Sequence, residues 1–170
     1  TLQALQTISV ARAYKKGEIL LSQGEICQKS YLLTDGIARK YYLHNGKEIT
    51  TELYFKNDLA VVFDSYCLQI PGRECIEALS DISVSVIHFS AFQEVKANFP
   101  KLLQLDLMLT EYHAMWLEER LFQLHTMSAT ERYLEILEKS PQIVQTVSLT
   151  ILASYLGISL ETLSRIRAKI

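Results

Sequence analysis

The sequence predicts an α+β protein with an N-terminal antiparallel β-barrel or jelly roll, a long helix and a C-terminal all-α helix-turn-helix domain. Three observations lead to this prediction. Short apolar runs between turn residues fill the first half of the chain. The hydrophobic period then changes at Ser90 from two to between three and four. Two short helical patterns joined by a turn close the sequence. We place the three parts at 1–99, 100–127 and 128–170.

The composition is that of a globular protein. The 170 residues are 49% hydrophobic and 21% charged, which is enough apolar material for a core. The formal charge of -2 argues against a general polyanion binder, although a local basic patch remains compatible with it. The sequence has neither a run of about 18 apolar residues nor an N-terminal signal segment. We therefore expect no membrane partner and a cytoplasmic location.

The first half has the turn spacing of an all-β domain. From Val10 to Phe89, turn signals recur about every 8–12 residues. Asn45-Gly46 predicts a type I′ hairpin, because both central residues of that turn need a positive φ. The run 82–89 alternates apolar and small polar residues and predicts a half-buried strand. Residues 1–8 are compatible with the end of a helix.

A long helix is predicted to follow the barrel. Ser90-Ala-Phe-Gln93 has the form of a capping box and predicts a short helix to about Asn98. Pro100 then suits the first turn of a helix that runs to about His125. Its apolar residues cover more than one side, which predicts two packing partners, the barrel and a second copy of the helix. A single wide face in one core is the alternative. The predicted homodimer interface consists of Leu105, Met108, Leu109, Tyr112, Met115, Trp116 and Phe122.

The last part is predicted to be helical throughout. A hinge lies near Thr126–Ser128, where Ser128-Ala-Thr-Glu131 forms a second capping box and starts a helix that Pro141 ends. The last two helices are joined at Gly157, which suits the positive φ at a helix end. Ser159 is placed to cap the second of them. The side chains predicted to be buried on this pair are Leu149, Leu152, Ala153, Leu156, Leu163 and Ile166.

The final helix has a polar open face. Glu161, Thr162, Arg165 and Arg167 lie on the side opposite its apolar residues. Two arginines and a glutamate on an exposed helix can hydrogen-bond to base edges and phosphates in a major groove. The alternative is an ordinary two-helix turn whose charges are solvated.

The order of these parts resembles the Crp/Fnr family of bacterial transcription regulators. The resemblance covers nearly the whole chain. Five segments carry it, and each is only moderately specific when taken alone: Lys16–Glu25, Tyr31–Glu48, Ile76–Leu79, Ser128–Tyr133 and Leu156–Ile166.

The resemblance implies a homodimeric transcription regulator that binds a near-palindromic DNA operator, with RNA polymerase as a further candidate partner. In matching relatives the glutamate and the following arginine read base edges, which here are Glu161 and Arg165. Leu160 stands where the cAMP-responsive members have a second base-reading arginine. Further candidates on this helix are phosphate contacts, and they are Ser159, Thr162, Arg167 and Lys169. The family continues into a β-hairpin wing, so this is a wingless branch or residues are missing downstream.

The ligand site departs from the family pattern. Cyclic-nucleotide-binding members use a Gly-Glu pair for the ribose and an Arg-Ser pair for the phosphate, and the Gly-Glu pair has no counterpart in 55–74. Gly72 falls at the arginine position and Arg73 at the serine position, so we expect no cAMP binding. Another small effector remains an alternative to a pocket filled by side chains such as Phe63 and Tyr66. The candidate pocket residues are Phe63, Asp64, Ser65, Gly72, Arg73, Leu117 and Glu118.

Cofactor and catalytic patterns are missing from the sequence. Three scattered cysteines form no CxxC pair and are too few for an iron-sulfur cluster. The four histidines show no HxH spacing for a barrel metal, and no Ser-His-Asp signature occurs. We therefore expect no cofactor, no metal and no enzyme. The alternative function is a ligand-sensing regulatory module that acts through protein–protein contacts, with a cupin-like enzyme in third place.

Overall fold

A computed structural model of the chain describes residues 2–170. The chain divides into two compact units, Thr1–Asp106 and Leu107–Ile170, and each is described by itself. The strands are β1 Ser9–Tyr14, β2 Ile19–Leu21, β3 Lys29–Asp35, β4 Ala38–His44, β5 Lys47–Tyr54, β6 Leu59–Ala60, β7 Cys75–Ala78 and β8 Ile82–His88. The helices are α1 Leu2–Ile8, α2 Phe63–Leu68, α3 Phe89–Asn98, α4 Pro100–Thr126, α5 Ala129–Lys139, α6 Pro141–Thr146, α7 Leu149–Leu156 and α8 Leu160–Arg167.

The first unit contains two antiparallel sheets, which confirms the predicted fold class. One sheet has the order β1-β8-β3-β6 and the other β2-β7-β4-β5. Both sheets contribute side chains to one apolar core. Fully buried members include Leu33 on β3, Ile76 on β7 and Val62 just before α2. Burial of apolar surface of this kind is the main stabilising contribution to such a domain.

Local turn chemistry and alternation produce the strands as predicted. Asn45 and Gly46 have φ values of 49° and 73° and join β4 to β5 in a tight hairpin. Strand β8 buries Ile82, Val84 and Val86 and turns the intervening residues outwards, as its alternating sequence indicates.

The helices agree with the sequence prediction except at three points, the first being α2, a short helix inside the stretch predicted to be all β. The capping box predicted at Ser90 is wrong: α3 begins at Phe89 with His88 as its N-cap, and no side chain caps it. Strand β8 runs directly into the helix, so Ser90 is already helical and cannot adopt the extended backbone of a cap. Pro141 also does more than end α5, because it occupies the first turn of the additional helix α6.

The second capping box is confirmed. Ser128 caps α5: its hydroxyl accepts a hydrogen bond from the backbone N–H of Glu131 at 3.3 Å, and the Glu131 carboxylate accepts from the backbone N–H of Ser128 at 2.7 Å. Thr126 ends the long helix α4 two residues earlier. The predicted break at 126–128 is therefore present between α4 and α5.

The second unit has a small apolar core of its own. Helix α7 buries Leu152, Ala153 and Leu156, whereas Leu149 is half-buried. Gly157 follows with φ 68°, and its N–H bonds to the end of α7. A Cβ at this position would be strained by that backbone conformation. Within residues 2–170, no helix combines the length and the apolar character needed to cross a membrane.

Candidate nucleic-acid interface and effector pocket

Helix α8 is fixed at its start and along its inner side. The Ser159 hydroxyl accepts a hydrogen bond from the backbone N–H of Thr162 at 3.2 Å, as the sequence predicts for an N-cap. Leu163 and Ile166 are buried below it. These contacts fix which side of α8 faces solvent.

That exposed face contains the residues predicted to contact DNA. Glu161, Arg165, Arg167 and the following Lys169 are exposed, and Leu160 keeps 40% of its surface accessible. Both arginines lie in the last turn of α8. The structure brings the seven predicted residues together within one helix and its two ends, namely Ser159, Leu160, Glu161, Thr162, Arg165, Arg167 and Lys169.

Polar contacts within this face restrain its charged side chains. Nη2 of Arg165 donates to Oγ1 of Thr162 at 3.3 Å. The pKa of Glu161 lies below its usual value. The largest cause is its own backbone N–H, followed by the Ser159 hydroxyl and then the positive charge of Arg165. Glu161 is therefore a carboxylate at neutral pH and can accept hydrogen bonds.

Two arginines hold the end of α7, just before the turn into α8. Nε of Arg132 donates to the Leu156 carbonyl at 3.1 Å, and its Nη1 donates to the Met127 carbonyl at 2.6 Å. Nη2 of Arg120 donates to the Tyr155 carbonyl, and its guanidinium lies 4.2 Å from the centre of the Tyr155 ring. Burial lowers the pKa of Arg120. Cations at a helix C-terminus donate hydrogen bonds to carbonyls that have no partner within the helix, and they interact favourably with the negative end of the helix dipole.

Helix α4 exposes much apolar surface. Five of the seven predicted interface residues are exposed, whereas Leu105 and Trp116 are half-buried. Tyr112 has 68% of its surface accessible, Met108 64% and Met115 61%. The sequence prediction omitted five further exposed leucines on α4, which are Leu103, Leu107, Leu117, Leu121 and Leu124. Exposed apolar surface of this extent usually indicates an interaction site.

The short helix α2 lies where the effector pocket was predicted, and its Ser65 is fully buried. The Ser65 hydroxyl accepts from the backbone N–H of Cys27 at 2.8 Å and donates to the Ile70 carbonyl at 2.5 Å. Its hydrogen is thus used to fix the loop that follows α2. Ser65 has a structural role in this conformation.

Gly72 is needed for close packing against α2. Its N–H donates to the Glu25 carbonyl at 2.9 Å, and its carbonyl accepts from the Gly24 N–H at 2.8 Å. A Cβ at Gly72 would lie 3.1 Å from Cβ of Ser65 and 3.2 Å from a methyl group of Val62. A larger residue would force these neighbours apart, since core packing leaves little free volume.

The charged residues beside α2 contact each other. Asp64 accepts a hydrogen bond from the Ser65 N–H at 2.7 Å, and its other oxygen lies 3.4 Å from Nη2 of Arg73. The Arg73 side chain is 86% exposed. Such an exposed pair contributes little to stability.

The two aromatic residues proposed to fill the pocket differ in position. Tyr66 packs against the core and makes an edge-on contact with Phe89, with 5.1 Å between the ring centres. Burial raises the Tyr66 pKa to about 12. Phe63 remains 36% exposed. Leu117 and Glu118 are exposed on the part of α4 that belongs to the second unit.

Comparison with known proteins assigns the family. The sequence profile of the cyclic nucleotide-binding domain matches residues 11–98, which is more than half of the chain. The chain belongs to the cyclic nucleotide-binding domain family. The anaerobic regulatory protein of Haemophilus influenzae is 26% identical over 164 residues and covers 89% of the chain. The chain spans 63% of the length of that protein.

Solved structures share the fold of this cyclic nucleotide-binding domain protein. FixK2 of Bradyrhizobium japonicum has a TM-score of 0.83 at 20% identity and covers 95% of this chain and 84% of its own. The c-di-GMP responsive global regulator CLP of Xanthomonas campestris has a TM-score of 0.78 at 16% identity, with coverages of 99% and 89%. A protein from Eubacterium rectale described as a Crp/Fnr family regulator has a TM-score of 0.77 at 19% identity, with coverages of 98% and 80%. The resemblance to Crp/Fnr regulators is confirmed.

The cyclic nucleotide-binding domain contains two buried cations, Lys40 and Arg39, which were not predicted from the sequence. Nζ of Lys40 lies 2.6 Å from a Glu52 oxygen and 3.5 Å from a Glu74 oxygen, and the Lys40 side chain is 6% exposed. The Tyr54 hydroxyl donates to Glu52 at 2.7 Å, and burial raises the Tyr54 pKa well above its usual value. A polar cluster thus occupies the domain interior together with the apolar core.

The neighbouring Arg39 has partners of its own. Its Nε lies 2.7 Å from Glu77, its Nη2 lies 2.5 Å from Glu48, and its guanidinium stacks 4.0 Å above the Tyr41 ring. Loss of both glutamates would leave the buried charge of Arg39 unpaired, which is strongly destabilising. Successive side chains of a strand point to opposite faces, so the positions of Arg39 and Lys40 on β4 could indicate that one of the two is buried, but not both.

The cysteines and histidines form no recognisable reactive site. Burial is the largest cause that raises the thiol pKa of both Cys27 and Cys67, so neither is activated as a thiolate. Among residues 2–170, no group of three His, Cys, Asp or Glu side chains is close enough to hold a metal ion.

Proposed function

We propose that this protein is a homodimeric transcription regulator that binds DNA sequence-specifically through α8. The supporting observation is the α7–Gly157–α8 pair, in which Leu163 and Ile166 are buried and Glu161 and Arg165 face solvent. A helix held in this way can enter a major groove while its partner helix crosses the DNA backbone. A cytoplasmic location follows from this proposal, because the bacterial chromosome lies there.

The exposed residues of α8 have distinct roles in this proposal. Arg165 would donate to a guanine, and Glu161 would accept from the amino group of a cytosine. Leu160 offers a base edge only apolar contact, so the operator should differ from those read by relatives with an arginine there. Arg167 and Lys169 lie near the end of the helix and supply positive charge for phosphates, which sets register without reading sequence.

The exposed surface of α4 supports the pairing of two copies along this helix. Met108, Met115 and Phe122 recur every seven residues, which is the spacing of a coiled-coil seam. Each is more than half exposed in the single chain. Burial of such a side chain contributes about 1.5–3 kcal/mol. A two-fold dimer would present two copies of α8 to successive major grooves, so the operator should be nearly palindromic.

The cyclic nucleotide-binding domain is expected not to bind cAMP. The buried hydroxyl of Ser65 is used within the protein, and the exposed Arg73 faces a carboxylate rather than a free anion site. Lys40 inside the domain is paired with Glu52 and Glu74. A cyclic phosphate would therefore find no unpaired cation among these residues.

A gel-shift experiment tests the DNA-binding function. The probe is the DNA upstream of the protein's own gene, with a large excess of random duplex as competitor. We expect a shifted complex that resists random DNA in the wild type and is lost with Arg165→Ala. Equal competition by random and specific DNA would contradict sequence reading. Complete lack of DNA binding would favour the module that acts through protein–protein contacts.

A thermal-shift experiment tests the absence of cAMP binding. A ligand that binds only the native state must raise the melting temperature, by an amount set by its concentration relative to Kd. We expect no rise with cAMP at any concentration up to millimolar. A rise that saturates with cAMP would overturn this part of the proposal. Other cyclic nucleotides in the same plate serve as the effector screen.

A further inference from the structure

Two hydroxyl groups lie between the charged side chains proposed to read DNA. Ser159, Thr162 and Arg165 are spaced three residues apart and so lie on one side of α8. Oγ of Ser159 is 3.1 Å from Oγ1 of Thr162, and Oγ1 of Thr162 is 3.3 Å from Nη2 of Arg165. The three side chains thus form a continuous hydrogen-bonded chain on the surface of the protein.

The hydrogen bonds connect Arg165 to the start of the helix. A guanidinium has only donors, so Arg165 gives a hydrogen to Thr162. Ser159 accepts the backbone N–H of Thr162 as the N-cap, and either hydroxyl can be the donor in the contact between Ser159 and Thr162.

The contact with Thr162 restrains a long, exposed side chain. Arg165 is exposed, and its Nη2 lies 3.3 Å from Oγ1 of Thr162. Thr162 is itself half-buried and is held at the start of α8 by Ser159. The guanidinium is therefore attached to a fixed part of the helix.

We propose that Thr162, supported by Ser159, is a positioning residue that holds Arg165 in one orientation before DNA binds. The inference rests on the proposed DNA-reading function of α8 and specifies how that function obtains its selectivity. A long side chain that is already ordered loses less conformational entropy on binding. The resulting gain in affinity is confined to the operator, because random DNA does not require Arg165 to hold one geometry on a base edge.

The first test uses the free protein. Thr162→Val keeps the shape of the side chain but removes the hydroxyl, and Thr162→Ser restores it. Ser164→Ala on the same helix is the matched control outside the hydroxyl chain. Nuclear spin relaxation of Arg165 Nε should show greater side-chain motion in Thr162→Val, and wild-type motion in the other two variants. Unchanged motion in Thr162→Val would overturn the positioning role, and circular dichroism confirms that each variant is folded.

The second test measures DNA binding by the same variants. The probes are the operator that the wild type selects from random duplex DNA, and a random duplex of equal length. Thr162→Val should bind the operator about 2- to 10-fold more weakly and random DNA equally well, which corresponds to the ordering of one long side chain. Thr162→Ser should restore operator binding, and Ser164→Ala should not differ from the wild type.

The outcomes separate the inference from the function on which it rests. Equal loss on both DNAs would make Thr162 a phosphate contact and overturn the inference alone. If the wild type selects no sequence at all, the proposed function fails and the positioning role in DNA reading fails with it. The relaxation measurement would in that case still report whether Thr162 restrains Arg165.

Discussion

Replacement of Arg132 by leucine should release the end of α7 that leads into the turn before α8. Arg132 is 9% exposed, and its guanidinium bonds to two carbonyls, one at Leu156 and one at Met127. Leucine fills part of the same volume but offers no donor. Both carbonyls would lose their charged partner, and one of them belongs to the last residue of α7.

The expected loss follows from these two contacts. A hydrogen bond to a charged group contributes about 1.5–3 kcal/mol, so two of them correspond to about 3–5 kcal/mol after allowance for non-additivity. A domain of roughly 60 residues has a free energy of unfolding of about 3–9 kcal/mol. The second unit of Arg132→Leu should therefore lose about a third or more of its free energy of unfolding, while the β-sheet unit remains folded.

Tryptophan fluorescence can follow this unit separately. The chain has one tryptophan, Trp116, and it lies in the second unit on α4. Urea titrations of the wild type and of Arg132→Leu are compared by this signal, with amide hydrogen exchange of the strands as the measure of the β-sheet unit. Arg132→Lys keeps the charge but cannot reach both carbonyls, so it should fall between the two. A loss of less than about 1 kcal/mol in Arg132→Leu would refute the reasoning.

Three further predictions concern the contact of Arg165 with DNA, the dimer and the capping box at Ser128. Arg165→Ala should cost about 1–3 kcal/mol of operator binding with random DNA unaffected, as measured by competition gel shift; equal losses would exclude base reading. Met115→Asp should convert a dimer to a monomer in sedimentation, whereas Met115→Leu should stay dimeric; a dimeric Met115→Asp would rule out the proposed seam. Ser128→Ala should lower stability by about 1 kcal/mol through loss of the N-cap. The Ser128 hydroxyl and backbone N–H lower the pKa of Glu131 below its usual 4.5, so the stabilisation is present above that pH and disappears as pH falls through the lower folded-state value. The difference between wild type and Ser128→Ala in urea unfolding should therefore shrink in acid, and a difference that does not depend on pH would contradict the role of Glu131.

The parts of the fold that were predicted depend on local chemistry. The turn at Asn45-Gly46 and the helix end at Gly157 follow from positive φ values that few other residues accept. The caps at Ser128 and Ser159 follow from hydroxyls that bond to an N–H three residues later. Ser90 has the same local signature without the cap, because where β8 ends depends on its pairing with distant strands.

The candidate site was predictable only where its residues lie on one element. The exposed face of α8 follows from helical periodicity. The three-residue spacing of Ser159, Thr162 and Arg165 also indicates that their side chains can touch, although this contact was not predicted from the sequence. The ion pairs of the buried Arg39 and Lys40 involve glutamates from β5, from β7 and from the residue just before β7, so periodicity on one strand could not indicate them. The use of Ser65 and Gly72 in packing likewise depends on loops brought together by folding.

The central claim is that two copies of α8 read one two-fold DNA site, and selection from random duplex DNA tests it most directly. The full chain is used to enrich bound sequences, and the enriched pool is sequenced. A two-fold dimer should enrich a nearly palindromic sequence whose half-sites are centred about 10–10.5 base pairs apart, because successive major grooves have that spacing. Enrichment of no sequence, or of a single half-site without a symmetric partner, would contradict it.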